Sequence, residues 1–173
     1  NNMKGNSLII IPTFNESENI ELIINKILLL NDSNDILVVD DNSPDGTSKI
    51  VSDLKKENID RIFLIVRDNK LGLGSAYKEG FNWALNKNYS YIFEMDADLS
   101  HDPEEIINLK ELLINSDSDV AIGSRYLDGV SVVNWPLSRI FLSYFANIYV
   151  RIITGMPIKD ATSGFIGYTN ESL

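Results

Sequence analysis

The chain of 173 residues lacks cysteine altogether and contains a single histidine, His101. Without cysteine there is no disulfide bond, no thiolate metal site and no cysteine nucleophile. With one histidine, the chain offers no second histidine that could belong to a catalytic triad of Ser, His and Asp. A proline turn at Asp102-Pro103 follows His101, so a structural role for this histidine is at least as well supported as a role as a base.

Long apolar runs are also missing. No stretch of about 18 apolar residues is present, which predicts that no segment spans a membrane. The N-terminal apolar run at residues 8–11 is far too short for a signal peptide, and the residues before it are polar.

Basic residues are in the minority, because 15 Lys and Arg stand against 25 Asp and Glu and give a formal net charge of −10. A domain this acidic is a poor candidate for nucleic-acid binding, which needs a basic face. It is equally unsuited to a purely electrostatic attachment to an anionic membrane. If such a protein handles phosphates, it needs a divalent cation or a few well-placed basic side chains.

Short apolar runs alternate along the chain with stretches of helical periodicity. The predicted strands are residues 8–11, 36–39, 62–66, 91–95, 120–122 and 164–168. The predicted helices are 18–30, 47–57 with Thr47 as its N-cap, 73–86, 103–115 and 136–154. This alternation indicates one α/β domain with a mainly parallel central sheet flanked by helices. In such sheets, ligands bind beyond the carboxyl ends of the strands.

Two carboxylates, Asp96 and Asp98, follow the fourth predicted strand. At a spacing of two along an extended chain they project to the same side. Together they can hold Mg²⁺ or Mn²⁺ and leave the remaining positions for water and substrate phosphates. The alternative is a solvated turn, because Asp is common after strands. The position at a strand end makes the metal site as plausible as the turn.

The segment 40–46, Asp-Asp-Asn-Ser-Pro-Asp-Gly, follows the second predicted strand. A carboxylate at a strand end can accept hydrogen bonds from a base or ribose. The Asn-Ser-Pro-Asp-Gly part is turn chemistry in itself. We expect both functions here, with residues 43–46 forming the turn and Asp41 facing the ligand.

The segment 70–76, Lys-Leu-Gly-Leu-Gly-Ser-Ala, is not a P-loop, because the lysine precedes the glycines. It is either a glycine-rich entry to a helix or a set of free amides that meet an anion. Two arginines, Arg125 and Arg139, could each form forked hydrogen bonds to phosphate oxygens. A surface ion pair is nevertheless the commoner role of Arg in an acidic protein.

Six sequence blocks occur in an order typical of one enzyme family. They are Ile-Pro-Thr-Phe-Asn-Glu at 11–16, Val-Asp-Asp-Asn-Ser-Pro-Asp-Gly-Thr at 39–47, Leu-Gly-Leu-Gly-Ser-Ala-Tyr at 71–77, Asp-Ala-Asp-Leu-Ser-His at 96–101, Gly-Ser-Arg-Tyr at 123–126 and Asp-Ala-Thr-Ser-Gly-Phe at 160–165. With them the chain resembles, from about Ser7 to its end, the dolichol-phosphate or polyprenol-phosphate mannosyltransferases of the inverting glycosyltransferase family two. The resemblance implies a GT-A (nucleotide-diphospho-sugar transferase) Rossmann-like fold and a single catalytic domain over residues 1–173. Relatives continue with basic residues and helices that meet the lipid, so we expect this chain to be truncated at its C-terminus.

The same resemblance implies roles for individual residues. The nucleotide-sugar contacts are expected at Pro12, Phe14, Glu16, Val39, Asp41, Asp96, Ala97, Asp98, Arg125 and Arg139. The metal ligands are expected at Asp96 and Asp98, with Ser100 as a further ligand whose short hydroxyl leaves room for a water. The catalytic residues are expected to be Asp98, Arg125 and Arg139. The acceptor side is expected at Asp160 and Ser163, next to Gly164.

The implied reaction is the transfer of mannose from GDP-mannose to a polyprenyl phosphate, with Mg²⁺ or Mn²⁺ as cofactor. The substrates imply peripheral attachment to the cytoplasmic side of the membrane. One alternative is a polyprenyl-phosphate glucosyltransferase or another family-two enzyme that uses a UDP-sugar. A nucleotidyltransferase is a second, but it should carry an N-terminal Gly-rich loop with a basic residue, which residues 12–16 lack. A sugar-nucleotide-binding remnant without activity is a third, and the intact carboxylate pair argues against it.

Overall fold

A computed structural model of the chain describes residues 7–30, 33–116, 118–123 and 163–173. The strands are β1 (Ser7–Thr13), β2 (Asn34–Asp40), β3 (Ile62–Val66), β4 (Tyr91–Glu94), β5 (Val120–Ile122) and β6 (Ile166–Thr169). The α-helices are α1 (Ile20–Leu30), α2 (Thr47–Glu57), α3 (Leu73–Leu85) and α4 (Glu105–Asn115). A 3₁₀ turn at Asn170–Ser172 follows β6.

The six strands form one sheet in the order β3-β2-β1-β4-β6-β5. The first four strands in that order are parallel to one another, with Ile9 of β1 opposite both Ile36 of β2 and Phe93 of β4. Strand β6 is antiparallel to both β4 and β5. The predicted mainly parallel sheet is therefore confirmed, and the parallel part carries the carboxyl ends at which ligands bind.

The continuous apolar runs of β1 and β2 are explained by burial on both faces of the sheet. Successive side chains of β1 point to opposite faces, so that Ile9 and Ile11 pack with α1, α2 and α4, whereas Ile10 packs with α3. Helix α3 lies close to β1 at Gly80, where an added Cβ would come within 2.6 Å of the Ile10 side chain. This close contact fixes the position of α3 against β1.

Several predicted boundaries differ from the observed ones. Helix α2 is capped by Gly46, at φ 92°, and Thr47 is its first residue, so the prediction that Thr47 is the N-cap was wrong. Helix α4 begins at Glu105, because Pro103 lies in the turn that precedes it and its carbonyl accepts a hydrogen bond from the Ile106 amide. The predicted helix at 136–154 lies outside the described residues.

None of the helices in the described ranges combines the length and the apolar character that crossing a bilayer requires.

Candidate active site

A cleft of about 280 Å³ opens at the carboxyl ends of β1, β2 and β4. This is the edge of the sheet at which the alternation of strands and helices predicted a ligand. The residues that line the cleft are Pro12, Thr13, Phe14, Glu16, Asp41, Lys70, Gly72, Leu73, Ala76, Asp96, Ala97 and Asp98. The cleft therefore brings together most of the residues predicted to contact a nucleotide-sugar.

The carboxylates that follow β4 differ in their surroundings. Asp96 is partly buried, and its Oδ1 accepts a hydrogen bond from the Tyr77 hydroxyl of α3 at 3.1 Å. Asp98 is exposed, and its Oδ1 accepts a hydrogen bond from the Ser100 amide at 2.9 Å. Asp96 is therefore held by the protein, whereas Asp98 is more open to solvent. The role of Ser100 as a metal ligand stays a prediction.

Both oxygens of Asp41 are engaged by the protein. The Arg67 guanidinium forms a buried ion pair with Oδ1, and the amides of Leu71 and Gly72 donate to Oδ2 at 3.0 Å each. Arg67 also donates to Ser75 Oγ at 2.7 Å. One interpretation of the sequence supposed that the amides of residues 70–76 are free to meet a bound anion. The amides of Leu71 and Gly72 are not free, because they already donate to Asp41. The contact of Asp41 with a nucleotide stays a prediction.

Arg67 is a site residue that the sequence analysis missed. It follows β3 at its carboxyl end, so the same rule that singled out the other strand ends applies to it. Its side chain is only 4% exposed, and its pairing with Asp41 orders the glycine-rich entry to α3. The alternative interpretation of residues 70–76 as a helix entry is confirmed, since Gly72 caps α3 with φ 92°.

One wall of the cleft carries an aromatic ring with a cation above it. The Lys70 ammonium lies 3.8 Å from the centroid of the Phe14 ring, which is the geometry of a cation–π contact. Of the described residues that line the cleft, Lys70 alone carries a positive charge. Lys70 partly offsets the negative charge of an otherwise acidic site.

The loop between β1 and α1 is fixed by the turn after β2. The amides of Asn15 and Glu16 donate to Ser43 Oγ at 2.9 Å and to Thr47 Oγ1 at 3.0 Å. The Ser17 amide donates to Asp45 Oδ2 at 3.0 Å. The turn chemistry predicted for residues 43–46 is confirmed, and its side chains additionally hold the cleft wall that contains Phe14.

The electrostatics of the cleft suit a divalent cation. Burial raises the pKa of Glu16, a hydrogen bond from Asn19 opposes this, and repulsion by Asp98, Asp45 and Asp96 raises it further. Within the described ranges, no three Asp, Glu or His side chains are arranged so that they could hold a metal. Asp96 and Asp98 can supply two oxygen ligands, and the remaining positions fit phosphate oxygens and water.

The burial of Glu94 gives a testable pH dependence behind the cleft. Burial raises the pKa of Glu94 to about 7, the hydrogen bond from the Tyr168 hydroxyl opposes this shift, and repulsion by Asp96 raises the pKa further. Between pH 4.5 and 7 the folded state therefore binds more protons than the unfolded state, and the free energy of unfolding falls as pH rises. Allowing for solvent screening, we expect a fall of roughly 1–2 kcal/mol that Glu94→Gln removes.

The measurement is urea unfolding at pH 4.5 and 7.5 in the presence of EDTA. Glu57→Gln, which changes an exposed glutamate of α2, serves as the control and should keep the wild-type dependence. An unchanged pH dependence in Glu94→Gln would contradict the assignment.

The remaining predicted residues are not among those that line the cleft or lie outside the described part of the chain. The side chain of Val39 is fully buried in the core under α3 and is not part of the cleft lining. Arg125, Arg139 and Asp160 lie outside the described residues. Ser163 is buried, and its hydroxyl donates to the Gly123 carbonyl at the end of β5.

The environment of His101 agrees with a structural role. It is 8% exposed and packs against the Phe165 ring, with 5.1 Å between the ring centroids.

Comparison with known proteins places this geometry in a family. The model of glycosyl transferase family 2 matches residues 8–173. Polyprenol monophosphomannose synthase from Mycolicibacterium smegmatis is 46% identical over 96% of this chain and 63% of its own length. Undecaprenyl-phosphate mannosyltransferase from Micrococcus luteus is 40% identical over 96% of this chain and 67% of its own length. The chain thus spans about two thirds of the length of these curated relatives.

A comparison with solved structures supports the assignment of the fold. A mannosyltransferase from Pyrobaculum calidifontis, solved with GDP-Man and Mn²⁺, superposes with a TM-score of 0.67 at 19% identity, over 98% of this chain and 46% of that one. This likeness confirms a GT-A-like α/β fold. With the match to the family model over nearly the whole chain, it leads to one assignment: the chain belongs to glycosyl transferase family 2.

Proposed function

We propose that this chain is the catalytic domain of a metal-dependent inverting glycosyltransferase that transfers mannose from GDP-mannose to a polyprenyl phosphate. The observation that carries the proposal is the presence of the pair Asp96 and Asp98 in the lining of a cleft that is also lined by Phe14 and Glu16. The names of the two relatives support mannose as the sugar and a polyprenyl phosphate as the acceptor. The GDP-Man and Mn²⁺ in the Pyrobaculum structure support this donor and a divalent cation.

Each residue of the cleft has a physical role in this proposal. Pro12 and Phe14 form an apolar wall against which a base can pack, and Lys70 above the ring can meet a phosphate or the base edge. Asp96 and Asp98 hold the cation, Mg²⁺ or Mn²⁺, beside the diphosphate. When bound, the cation stabilises the negative charge that develops on the leaving nucleoside diphosphate.

The acceptor supplies its own nucleophile. A phosphate monoester is largely ionised at neutral pH, because its second pKa is about 6. It can attack the anomeric carbon from the face opposite the diphosphate without a strong general base, which inverts that carbon. Catalysis then comes mainly from positioning and charge stabilisation. We assign Arg125 and Arg139 to the phosphates, and Asp160 and Ser163 to the acceptor side, as parts of the same proposal.

A lipid acceptor also places the reaction at a membrane surface. We propose that the enzyme works peripherally on the cytoplasmic side, which follows from the substrate class.

Calorimetric titration of the chain with GDP-mannose and UDP-glucose, each with Mn²⁺ and with EDTA, tests the proposal without needing lipid. We expect GDP-mannose to bind more tightly, and at least about 10-fold more tightly with Mn²⁺ than without. This gain is the minimum expected if two carboxylates and the diphosphate share one cation. Preference for UDP-glucose would move the chain to a glucosyltransferase, and binding of neither donor would contradict the proposed donor site.

A further inference from the structure

The Asp96 carboxylate is contacted by two parts of the chain that lie far from it in sequence. On one side, the Tyr77 hydroxyl donates to Oδ1 at 3.1 Å from helix α3. On the other side lies Gly164, where an added Cβ would fall 2.0 Å from Oδ2 and 2.6 Å from Cγ. The carboxylate is thus enclosed between a hydrogen-bond donor and a backbone that leaves no room for a side chain.

Both of these contacts come from well-anchored positions. Tyr77 is 8% exposed, and its ring packs in the core cluster that joins α3 to β1. The segment that carries Gly164 is attached to the end of β5, because the Gly123 amide donates to the Phe165 carbonyl at 2.9 Å. Phe165 itself is fully buried. Neither side can therefore move away from Asp96 without disturbing the core.

The Tyr77 hydroxyl donates its one hydrogen to Asp96 Oδ1. A carboxylate offers about four lone-pair sites on its two oxygens, so accepting this hydrogen bond does not by itself prevent it from binding a cation. The contact with Tyr77 and a contact with a metal ion are therefore compatible.

We propose that Tyr77 is a positioning residue that holds the Asp96 carboxylate in the orientation needed to bind the divalent cation. The inference rests on the proposed function, since it takes Asp96 as a metal ligand. Outer partners that orient metal ligands typically change metal affinity by about 10- to 100-fold when they are removed. A purely structural hydrogen bond would contribute to folding stability without affecting the metal.

The test compares Tyr77→Phe with Tyr89→Phe. Tyr89 is a matched control, because it is also buried and its hydroxyl also donates to a carboxylate, Asp35 Oδ2 at 2.9 Å. Asp35 lies near the start of β2, at the end of the sheet opposite to the cleft. Each variant therefore loses one hydrogen bond from tyrosine to a carboxylate, and only one of them loses it at the proposed metal site.

The measurement is the affinity for GDP by calorimetry, once in EDTA and once in saturating Mn²⁺, with the melting temperature recorded for each variant. We expect Tyr77→Phe to reduce the gain in affinity that Mn²⁺ provides by about 10-fold. Its affinity in EDTA should remain that of the wild type. Tyr89→Phe should leave the gain unchanged, even where its melting temperature falls.

The other outcomes overturn the inference in distinguishable ways. If wild type shows no gain from Mn²⁺, the metal site of the proposed function fails, and the inference fails with it. If wild type shows the gain and Tyr77→Phe retains it in full, only the positioning role is overturned. An equal loss of affinity in EDTA and in Mn²⁺ would also overturn that role, since it would mean that Tyr77 shapes the cleft alone.

Discussion

Replacing Asp98 with alanine is expected to abolish the metal-dependent part of donor binding. The Asp98 side chain is exposed in the cleft and accepts a local hydrogen bond from the Ser100 amide, so its loss should change stability by less than about 1 kcal/mol. Direct removal of a metal ligand should cost more than removal of an outer partner, that is, at least about 100-fold in the affinity for GDP-mannose in Mn²⁺. In EDTA the variant should bind as wild type does.

The control for this variant is Asp53→Ala. Asp53 is an exposed carboxylate on α2 that pairs with Lys56, outside the cleft lining. Asp53→Ala removes the same charge from the chain without changing the cleft. It therefore distinguishes the loss of a metal ligand from a general effect of net charge. Calorimetry of both variants with and without Mn²⁺ decides the matter. If Asp98→Ala bound GDP-mannose with wild-type affinity both in Mn²⁺ and in EDTA, the role of Asp98 as a metal ligand would be contradicted.

Replacing Gly164 with alanine should affect both the site and the fold. The added Cβ would lie 2.0 Å from Asp96 Oδ2, a distance that non-bonded atoms do not adopt. Either the carboxylate rotates away and loses the Tyr77 hydroxyl, or the segment before β6 shifts against the buried Phe165. We expect the gain from Mn²⁺ to fall at least about 10-fold and the free energy of unfolding to fall by about 1–3 kcal/mol.

Gly74→Ala is the matched control for this substitution. Gly74 lies in the first turn of α3, and an added Cβ there meets nothing within 4 Å. Alanine is the better helix former, so this variant should keep its metal dependence and be equally or slightly more stable. Urea unfolding and GDP titration on both variants test the pair. If Gly164→Ala retained the full gain in GDP affinity from Mn²⁺, the close contact of Gly164 with Asp96 would not contribute to metal binding.

Much of the sheet could be predicted because its central strands have a pattern that is easily recognised in the sequence. Strands β1 and β2 are uninterrupted apolar runs, and their alternation with helices forces parallel pairing. The antiparallel β6 between β4 and β5 could not be predicted in the same way. The four residues of β6 indicate neither the direction of the strand nor the strands beside it, and its place in the sheet depends on contacts with strands distant in sequence. The starts of α1 and α4 were predicted about two residues too early, because turns at Glu16 and Pro103 precede these helices, whereas the predicted starts of α2 and α3 are confirmed.

The site shows the same division between local and tertiary information. Asp96, Asp98 and Asp41 follow strands, so position alone singled them out. Asp96 has its partner Tyr77 on α3, and Asp41 has its partner Arg67 at the end of β3. No spacing rule connects Arg67 with Asp41 across 26 residues. Val39 was expected near the base from the resemblance, yet its alternating position on β2 turns its side chain into the core.

The loop between β1 and α1 has a thermodynamic consequence. Three successive amides, those of Asn15, Glu16 and Ser17, already donate to side chains of the neighbouring turn and helix start. The conformational entropy of this wall is therefore lost when the chain folds and does not have to be lost again when a donor arrives. The wall is preorganised, so these amides should exchange slowly with deuterium before any nucleotide is added.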